Sequence, residues 1–269
     1  MHEQHFDEKY ALKRPENYER FFVPTIGGPL AEDLIRVAAL QPGEQVLDVG
    51  CGTGVVARMA SKKVGSDGTV VGLDVNPGML AIAASIVPPD RSIEWHEANA
   101  ESMPLPDRSF DVVLCQLSLQ FMEDKPAALE EMHRVLVEGG RVVLNVPGPA
   151  TPLFTTLADA MGRHISAEAA GFVTHAFSLH ERTAIELLIS RAGFRDVDVQ
   201  AKEKTLSLPA PQDFLWQYVR STPLAAAVTQ ANDAAILALE SEVVDRWQDF
   251  EEDGVLTYKQ RIVTAVARK

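Results

Sequence analysis

Val46-Leu47-Asp48-Val49-Gly50-Cys51-Gly52-Thr53-Gly54 is the stretch that decides the fold. An apolar run enters a loop with glycine at every second position, and a helical pattern follows from Val55 to Lys63. Glycine lets the backbone turn sharply and lets a ligand lie close against it. The spacing is Gly-x-Gly-x-Gly, unlike the Gly-x-Gly-x-x-Gly of dinucleotide-binding loops, and no Gly-Lys-Ser/Thr follows, so a phosphate-binding P-loop is excluded. Asp48 stands two residues before the first glycine. A carboxylate there disfavours pyrophosphate and attracts a cationic sulfonium or ammonium. Asp74 closes the next strand, twenty-four positions beyond Gly50, near the spacing at which an acid reaches a ribose diol. A tight turn without a ligand does not call for that acid.

Outward from the loop, strands and helices alternate. Thr69–Leu73, Ile93–Trp95, Phe110–Leu114 and Arg141–Leu144 read as strands. Helices are expected from Asn76-Pro77 to Ser85 and from Lys125 to Val137, the second capped by Gly139-Gly140. Glu181–Arg191 reads as a helix, and Arg195–Gln200 and Ile262–Val266 as later strands. This rhythm predicts an α/β fold, a Rossmann-like, doubly wound, mostly parallel seven-stranded sheet. We expect a single domain over 1–269, with an N-terminal helical cap (1–40), a cofactor-binding core (41–146) and lid insertions at 147–178 and 206–256. The second insertion reads as one long helix with Leu224, Val228, Ala231, Ala235, Leu239, Val243 and Trp247 on one stripe.

The 269 residues are 46% hydrophobic and 23% charged, which suits a folded globular chain rather than a disordered one. The net charge of −13 counts against nucleic acid and against anionic lipid as partners. Val142–Ala158 is uncharged but interrupted by Pro147, Pro149 and Pro152, so no spanning helix is expected. The N-terminus has no apolar leader, and a cytoplasmic location is the expectation. Two cysteines, Cys51 and Cys115, are too few for a disulfide framework or a zinc site, and no metal is expected.

Several segments in order resemble the class I S-adenosylmethionine-dependent methyltransferases, nearest to the ubiquinone and menaquinone biosynthesis group. They are Val46–Gly54, Gly72–Leu80, Ala98–Pro106, Ser109–Val113 and Glu131–Leu136 with Gly139-Gly140-Arg141. The resemblance is strong over 40–146, moderate over 175–200 and weak elsewhere. It implies S-adenosyl-L-methionine as cofactor. Gly50, Cys51 and Gly52 would line its methionine part, with Gln116 closing that side and Asp48 acting through its charge. Asp74 would accept the ribose hydroxyls. Val75 and Met79 would pack on the adenine, and Asn99 and Ala100 would hold its edge. Asn99 departs from the family's usual aspartate, yet its carbonyl oxygen can still accept from an amine. Tyr18, among the upstream aromatics, is expected to touch the cofactor or to pack the N-terminal helix.

The acceptor is expected to be a small hydrophobic or aromatic molecule, because the insertions carry Phe154, Phe172, Phe177, Phe214, Trp216 and Tyr218. Those rings could equally pack the scaffold. Methyl transfer relies chiefly on alignment, so no catalytic triad is required. His175, where the first insertion returns to the sheet, is the candidate general base, with His164 and His180 behind it. Homodimerisation is left open. The rival readings are a non-catalytic S-adenosylmethionine-binding module and a nicotinamide-dependent oxidoreductase.

Overall fold

The structure, a computed structural model, describes residues 14–87 and 93–269. Residues 1–13 of the expected N-terminal cap lie outside the described residues. Contacts divide the chain into two compact units. One comprises residues 27–148, 179–202 and 261–269, and the other draws its described residues from 14–26, 149–178 and 203–260.

Eight strands occur among the described residues: β1 (Gln45–Val49), β2 (Thr69–Asp74), β3 (Glu94–Glu97), β4 (Phe110–Gln116), β5 (Leu136–Pro147), β6 (Arg195–Leu208), β7 (Glu251–Glu252) and β8 (Val255–Arg268). Seven follow one path in the order β3-β2-β1-β4-β5-β8-β6. The first five strands pair in parallel, and β8 runs antiparallel to β5, with Arg141 opposite Arg268. The mostly parallel, doubly wound sheet expected from the sequence is therefore present, and β7 adds a two-residue pairing to β8.

Successive side chains of a strand point to opposite faces, and here both faces are covered. Leu47, Val49, Val113 and Cys115 join Leu129, Met132, Ile185 and Ile189 from the helices Lys125–Val135 and Arg182–Arg191. Val46, Val112, Leu114 and Val143 join Leu34, Ala38, Val56 and Ala60 from the helices Gly28–Ala38 and Val55–Val64. Burial on both sides explains why these strands read as unbroken apolar runs.

Two expectations about local structure are corrected. Gly139-Gly140 does not cap the helix, which ends at Val135. Leu136 already pairs with Phe110 in β5, and the register shifts before Val112 meets Arg141. Gly139, at φ 79°, absorbs that irregularity within the strand segment. The long helix expected across 224–247 is two helices, Leu224–Thr229 and Asp233–Trp247. Asn232 stands between them in extended backbone, and its side-chain oxygen caps the second by accepting from Ala235 N at 3.0 Å.

The second unit is packed around aromatic rings. The Phe154 ring lies 5.0 Å from Phe177, 5.1 Å from Tyr218 and 5.3 Å from Tyr258. Trp247 Nε1 donates to Leu153 O at 2.9 Å, and Trp216 Nε1 to Glu240 at 2.6 Å. Phe154, Phe177, Phe214, Trp216 and Tyr218 are all buried.

In the sheet unit, Arg134 braces the turn after β3. Its guanidinium donates to Met103 O at 3.1 Å and Leu105 O at 2.8 Å and pairs with Asp107 and Glu131. Glu131 in turn accepts from Met103 N at 2.7 Å, and the Arg134 contact holds its carboxyl below the usual range. Arg134→Met should lower the unfolding free energy by about 1–3 kcal/mol in urea titrations. Arg134→Lys should recover only part, because an ammonium cannot present forked donors to two carbonyls at once. A Met variant as stable as the parent would refute the bracing role.

Candidate functional site

The glycine loop leaves β1 at the carboxyl edge of the sheet. Gly50, Gly52 and Gly54 hold φ of 67°, 54° and 80°. Gly50 N and Cys51 N donate to Leu73 O at 2.8 and 3.0 Å, so the loop is laced to the end of β2. Asp74 completes the lacing. Its Oδ2 accepts from Gly52 N at 2.8 Å and its Oδ1 from Asn76 N at 2.9 Å. Asn76 then caps the helix Pro77–Ser85 through Gly78 N and Met79 N.

Packing explains the glycines as much as backbone shape does. A Cβ on Gly50 would fall 1.9 Å from Ser118 Oγ, and one on Gly54 would fall 2.4 Å from Trp95 Cη2. Gly72 in β2 faces the same indole, with a Cβ there 2.4 Å from Trp95 Cζ3. Trp95 thus fills the space beneath the loop, and both glycines are short because the ring is there.

Asp48 is fully buried and accepts from Ala57 N, in the first turn of the helix Val55–Val64, at 2.9 Å. Burial, only partly offset by that amide, pushes its carboxyl up to about 7, and the nearby charge of Asp74 adds to the rise. Burial likewise pushes up the thiols of Cys51 and of Cys115, the latter to about 12, so neither is a thiolate near neutral pH.

A cleft of about 270 Å³ opens beside the loop. Gly50, Leu73 and Asp74 form its base, Val75 and the turn Ala98–Glu101 one side, and Ser118 and Phe121–Glu123 the other. Val75 is 70% exposed and Phe121 43% exposed, so two apolar side chains stand open at the same cleft. Among the described residues its ionisable lining is Asp74, Glu101 and Glu123, with no lysine or arginine.

Of the residues expected from the sequence, Gly50, Asp74, Val75, Asn99 and Ala100 line this cleft. Asn99 Oδ1 already accepts from Glu101 N at 2.9 Å, so an amine would be its second donor. Asp48, Cys51, Gly52, Met79 and Gln116 stand behind the lining. Gln116 Nε2 donates to Gly27 O at 2.9 Å. Tyr18 and His175 belong to the other unit. Tyr18 stacks on Phe22 at 4.6 Å, and His175 is exposed in the last turn of the helix Ala167–Ala176. Glu101, Ser118, Phe121 and Glu123 also line the cleft and were not singled out, although Ser118 and Phe121 lie in the segment 115–122 that the sequence places at this edge. The signal available was position, since the segment after β4 must emerge at the same sheet edge. Among the described residues, no group of three His, Cys, Asp or Glu side chains is placed to hold a metal ion, and no helix is long and apolar enough to cross a membrane.

Comparison with known proteins agrees with this geometry. Residues 47–144 match the family described as "Methyltransferase domain". The ubiquinone/menaquinone biosynthesis C-methyltransferase UbiE of Xanthomonas oryzae pv. oryzae is 40% identical over 111 residues, covering 40% of this chain and 44% of that protein. The match thus spans under half the length of that relative. UbiE of Shewanella frigidimarina is 32% identical over 179 residues, covering 61% of this chain and 71% of that protein. The chain belongs to the class I S-adenosylmethionine-dependent methyltransferases. Solved structures share the fold. A Bacillus halodurans protein aligns with a TM-score of 0.61 at 23% identity, over 89% of this chain and 98% of that one. The phosphoethanolamine N-methyltransferase 2 of Haemonchus contortus, in complex with S-adenosylhomocysteine, aligns at 0.57 and 21% identity, over 91% of this chain and 52% of that one. The family's cofactor suits the cleft, which offers carboxylates to a cation, a glycine cradle and two open apolar side chains.

Two outcomes follow for this methyltransferase domain. Gly72→Ala and Gly54→Ala should each destabilise by about 1–3 kcal/mol through overpacking. Trp95→Leu should rescue the first but not the second, because only Gly54 also needs positive φ. Equal rescue, or none, in thermal melts would refute the wedge. Asp48→Asn tests the buried carboxyl. The native state keeps its proton up to about pH 7 while the unfolded chain loses it near 4. Native stability should therefore fall relative to the Asn variant as pH rises from 4 to 7, by roughly 3–4 kcal/mol at most. Parallel stability–pH curves for the two proteins would sink this account.

Proposed function

We propose that this chain transfers the methyl group of S-adenosylmethionine to a small, hydrophobic or aromatic molecule. The observation that carries the reading is the cleft at the ends of β1, β2 and β4, whose ionisable lining among the described residues is carboxylate. S-adenosylmethionine presents a sulfonium and an ammonium, and its electrophilic methyl is what the cofactor supplies. A nicotinamide dinucleotide would instead lay its pyrophosphate on the glycine loop, whose Gly-x-Gly-x-Gly spacing and neighbouring Asp48 do not suit it.

In this reading Asp74 receives the ribose hydroxyls on lone pairs left free by Gly52 N and Asn76 N. Val75 and Phe121 contact the adenine from the two sides of the cleft, with Met79 behind, and Asn99 and Ala100 meet its edge. Gly50, Cys51 and Gly52 cradle the methionine part, and Gln116 lies on that side. Asp48, protonated in the free protein up to about pH 7, would supply charge from beneath the loop once a bound cation favours its ionised form. His175 is given no part, since it is exposed. The unit of residues 149–178 and 203–260 serves acceptor choice, and it holds a cleft of about 470 Å³ lined by Ile165, Phe172 and Leu224 together with Ser166, Glu168 and Gln230. The UbiE relatives are named for C-methylation, so an aromatic ring carbon is one acceptor of this class. The net charge supports a small molecule over nucleic acid, and the free, buried Cys51 and Cys115 suit the cytoplasm.

Calorimetry with S-adenosylmethionine and with NADH tests the reading, and preference for NADH would overturn it. Asp74→Ala should weaken S-adenosylmethionine binding tenfold or more, from loss of about 1.5–3 kcal/mol of charge-assisted hydrogen bonding. Unchanged affinity in a folded variant would contradict the assignment.

A further inference from the structure

Two side-chain oxygens on the segment leaving β4 are buried without a hydrogen-bond donor among the described residues: Gln116 Oε1 and Gln120 Oε1. Gln116 is half-buried and belongs, in the reading above, beside the cofactor. Gln120 has no such account. It is 2% exposed, and its Nε2 donates to Leu117 O at 2.9 Å, which fixes the carboxamide and leaves the oxygen unpaired. The segment around it is firmly held. Leu117 N donates to Asn145 O at 2.9 Å, Phe121 N to Ser118 O at 2.9 Å, and Leu117 itself is kept at φ 50°, a shape a bulky residue adopts only under constraint. Ser118 and Phe121, on either side of Gln120, both line the cleft, and Gln120 stands behind that lining with its oxygen closed off from solvent. Folded proteins seldom bury an acceptor unpaired unless a ligand or an ordered water completes it.

We propose that Gln120 Oε1 accepts an O–H or N–H hydrogen from the methyl acceptor, so the acceptor is a small molecule with a hydroxyl or amine at or next to the methylated atom. This rests on the methyl-transfer reading above. An amide oxygen is far too weak a base to remove that proton, so Gln120 acts as an orienting group. The hydrogen bond occupies the X–H bond and leaves the adjacent electron pair free to form the new bond to carbon. The C–S electron pair stays on sulfur, and the displaced proton passes to solvent water. A phenol fits either outcome, methylation on oxygen or on the neighbouring ring carbon.

The test uses the full chain, catechol and benzylamine as probes, and Gln120→Met and Gln120→Glu as variants. Calorimetry measures S-adenosylmethionine binding, then probe binding to the protein saturated with S-adenosylhomocysteine, which needs no turnover. We expect at least one probe to bind the parent, about tenfold weaker binding to Gln120→Met, and recovery of most of it in Gln120→Glu, which keeps an acceptor oxygen. S-adenosylmethionine affinity should stay within about twofold throughout, and transfer of labelled methyl should follow probe binding. Equal probe binding by parent and Gln120→Met overturns the proposal, as does a parallel loss of S-adenosylmethionine binding, which would place Gln120 in the cofactor site. Binding of neither probe to the parent overturns the hydroxyl or amine class. A crystal structure with a water on Gln120 Oε1 that stays when the probe is bound overturns the contact itself. Failure of the parent to bind S-adenosylmethionine is distinct from all of these, and overturns the proposed function instead.

Discussion

The carboxylate of Asp74 is hydrogen-bonded twice by the protein itself, once to the glycine loop through Gly52 N and once to the turn that starts the next helix through Asn76 N. One side chain at the end of β2 therefore ties two loops together, adding to the bonds that Gly50 N and Cys51 N make to Leu73 O. Each carboxylate oxygen has a second lone pair, so the group that shapes the site still has capacity for a ligand. Trp95 works from below. Its indole occupies the volume that side chains at Gly54 and Gly72 would need, and the loop cannot sink towards the sheet without meeting it. The cradle is held from one side by charge-assisted hydrogen bonds and from the other by packing, an arrangement that limits the reorganisation required on binding.

Electrostatics imposes an opposing cost. Asp48 lies in the interior of β1, fully buried, with a raised carboxyl and one backbone amide as its partner. Asp74, Glu101 and Glu123 add negative charge nearby. A cation entering the cleft would stabilise the ionised form of Asp48, which burial and the charge of Asp74 disfavour. An anion would disfavour that form further. The burial of Asp48 weakens the free protein, which is a common relation between stability and function at binding sites.

The sheet and the position of the candidate cleft were legible because they rest on local patterns. Val46–Gly54 specifies a strand, a turn and a helix by neighbours only, and Asp74 follows at a distance fixed by one helix and one strand. Gly139-Gly140 misled because glycine pairs mark helix ends and strand irregularities alike, and only the partner, Phe110 opposite Leu136, decides between them. The stripe from Leu224 to Trp247 misled because helical periodicity survives a short interruption, while the break itself depends on the Asn232 cap. Phe121 lies in the segment 115–122 expected at the sheet edge, but that its ring in particular is exposed at the cleft follows from three-dimensional position. Glu101 and Glu123 are ordinary surface acids in sequence and become part of the site only when two loops converge.

The second unit is harder to read for a different physical reason. Phe22, Phe154, Phe177, Tyr218 and Tyr258 come from segments far apart in the chain, yet Phe154 touches three of these rings, and Tyr218 in turn meets Phe22. Rings packed on one another are interchangeable in their effect on the core, so their abundance announces a core and says little about a ligand. The room in the cleft of this unit comes instead from small residues. Ala169 faces it from one helix, and Ala226, Ala227 and Ala231 from the segment that follows Pro223. Volume that is missing leaves no motif behind. The shape of an apolar binding space is thus set by where alanine stands in place of leucine or phenylalanine on facing helices. Such a choice is visible only after the helices have been placed.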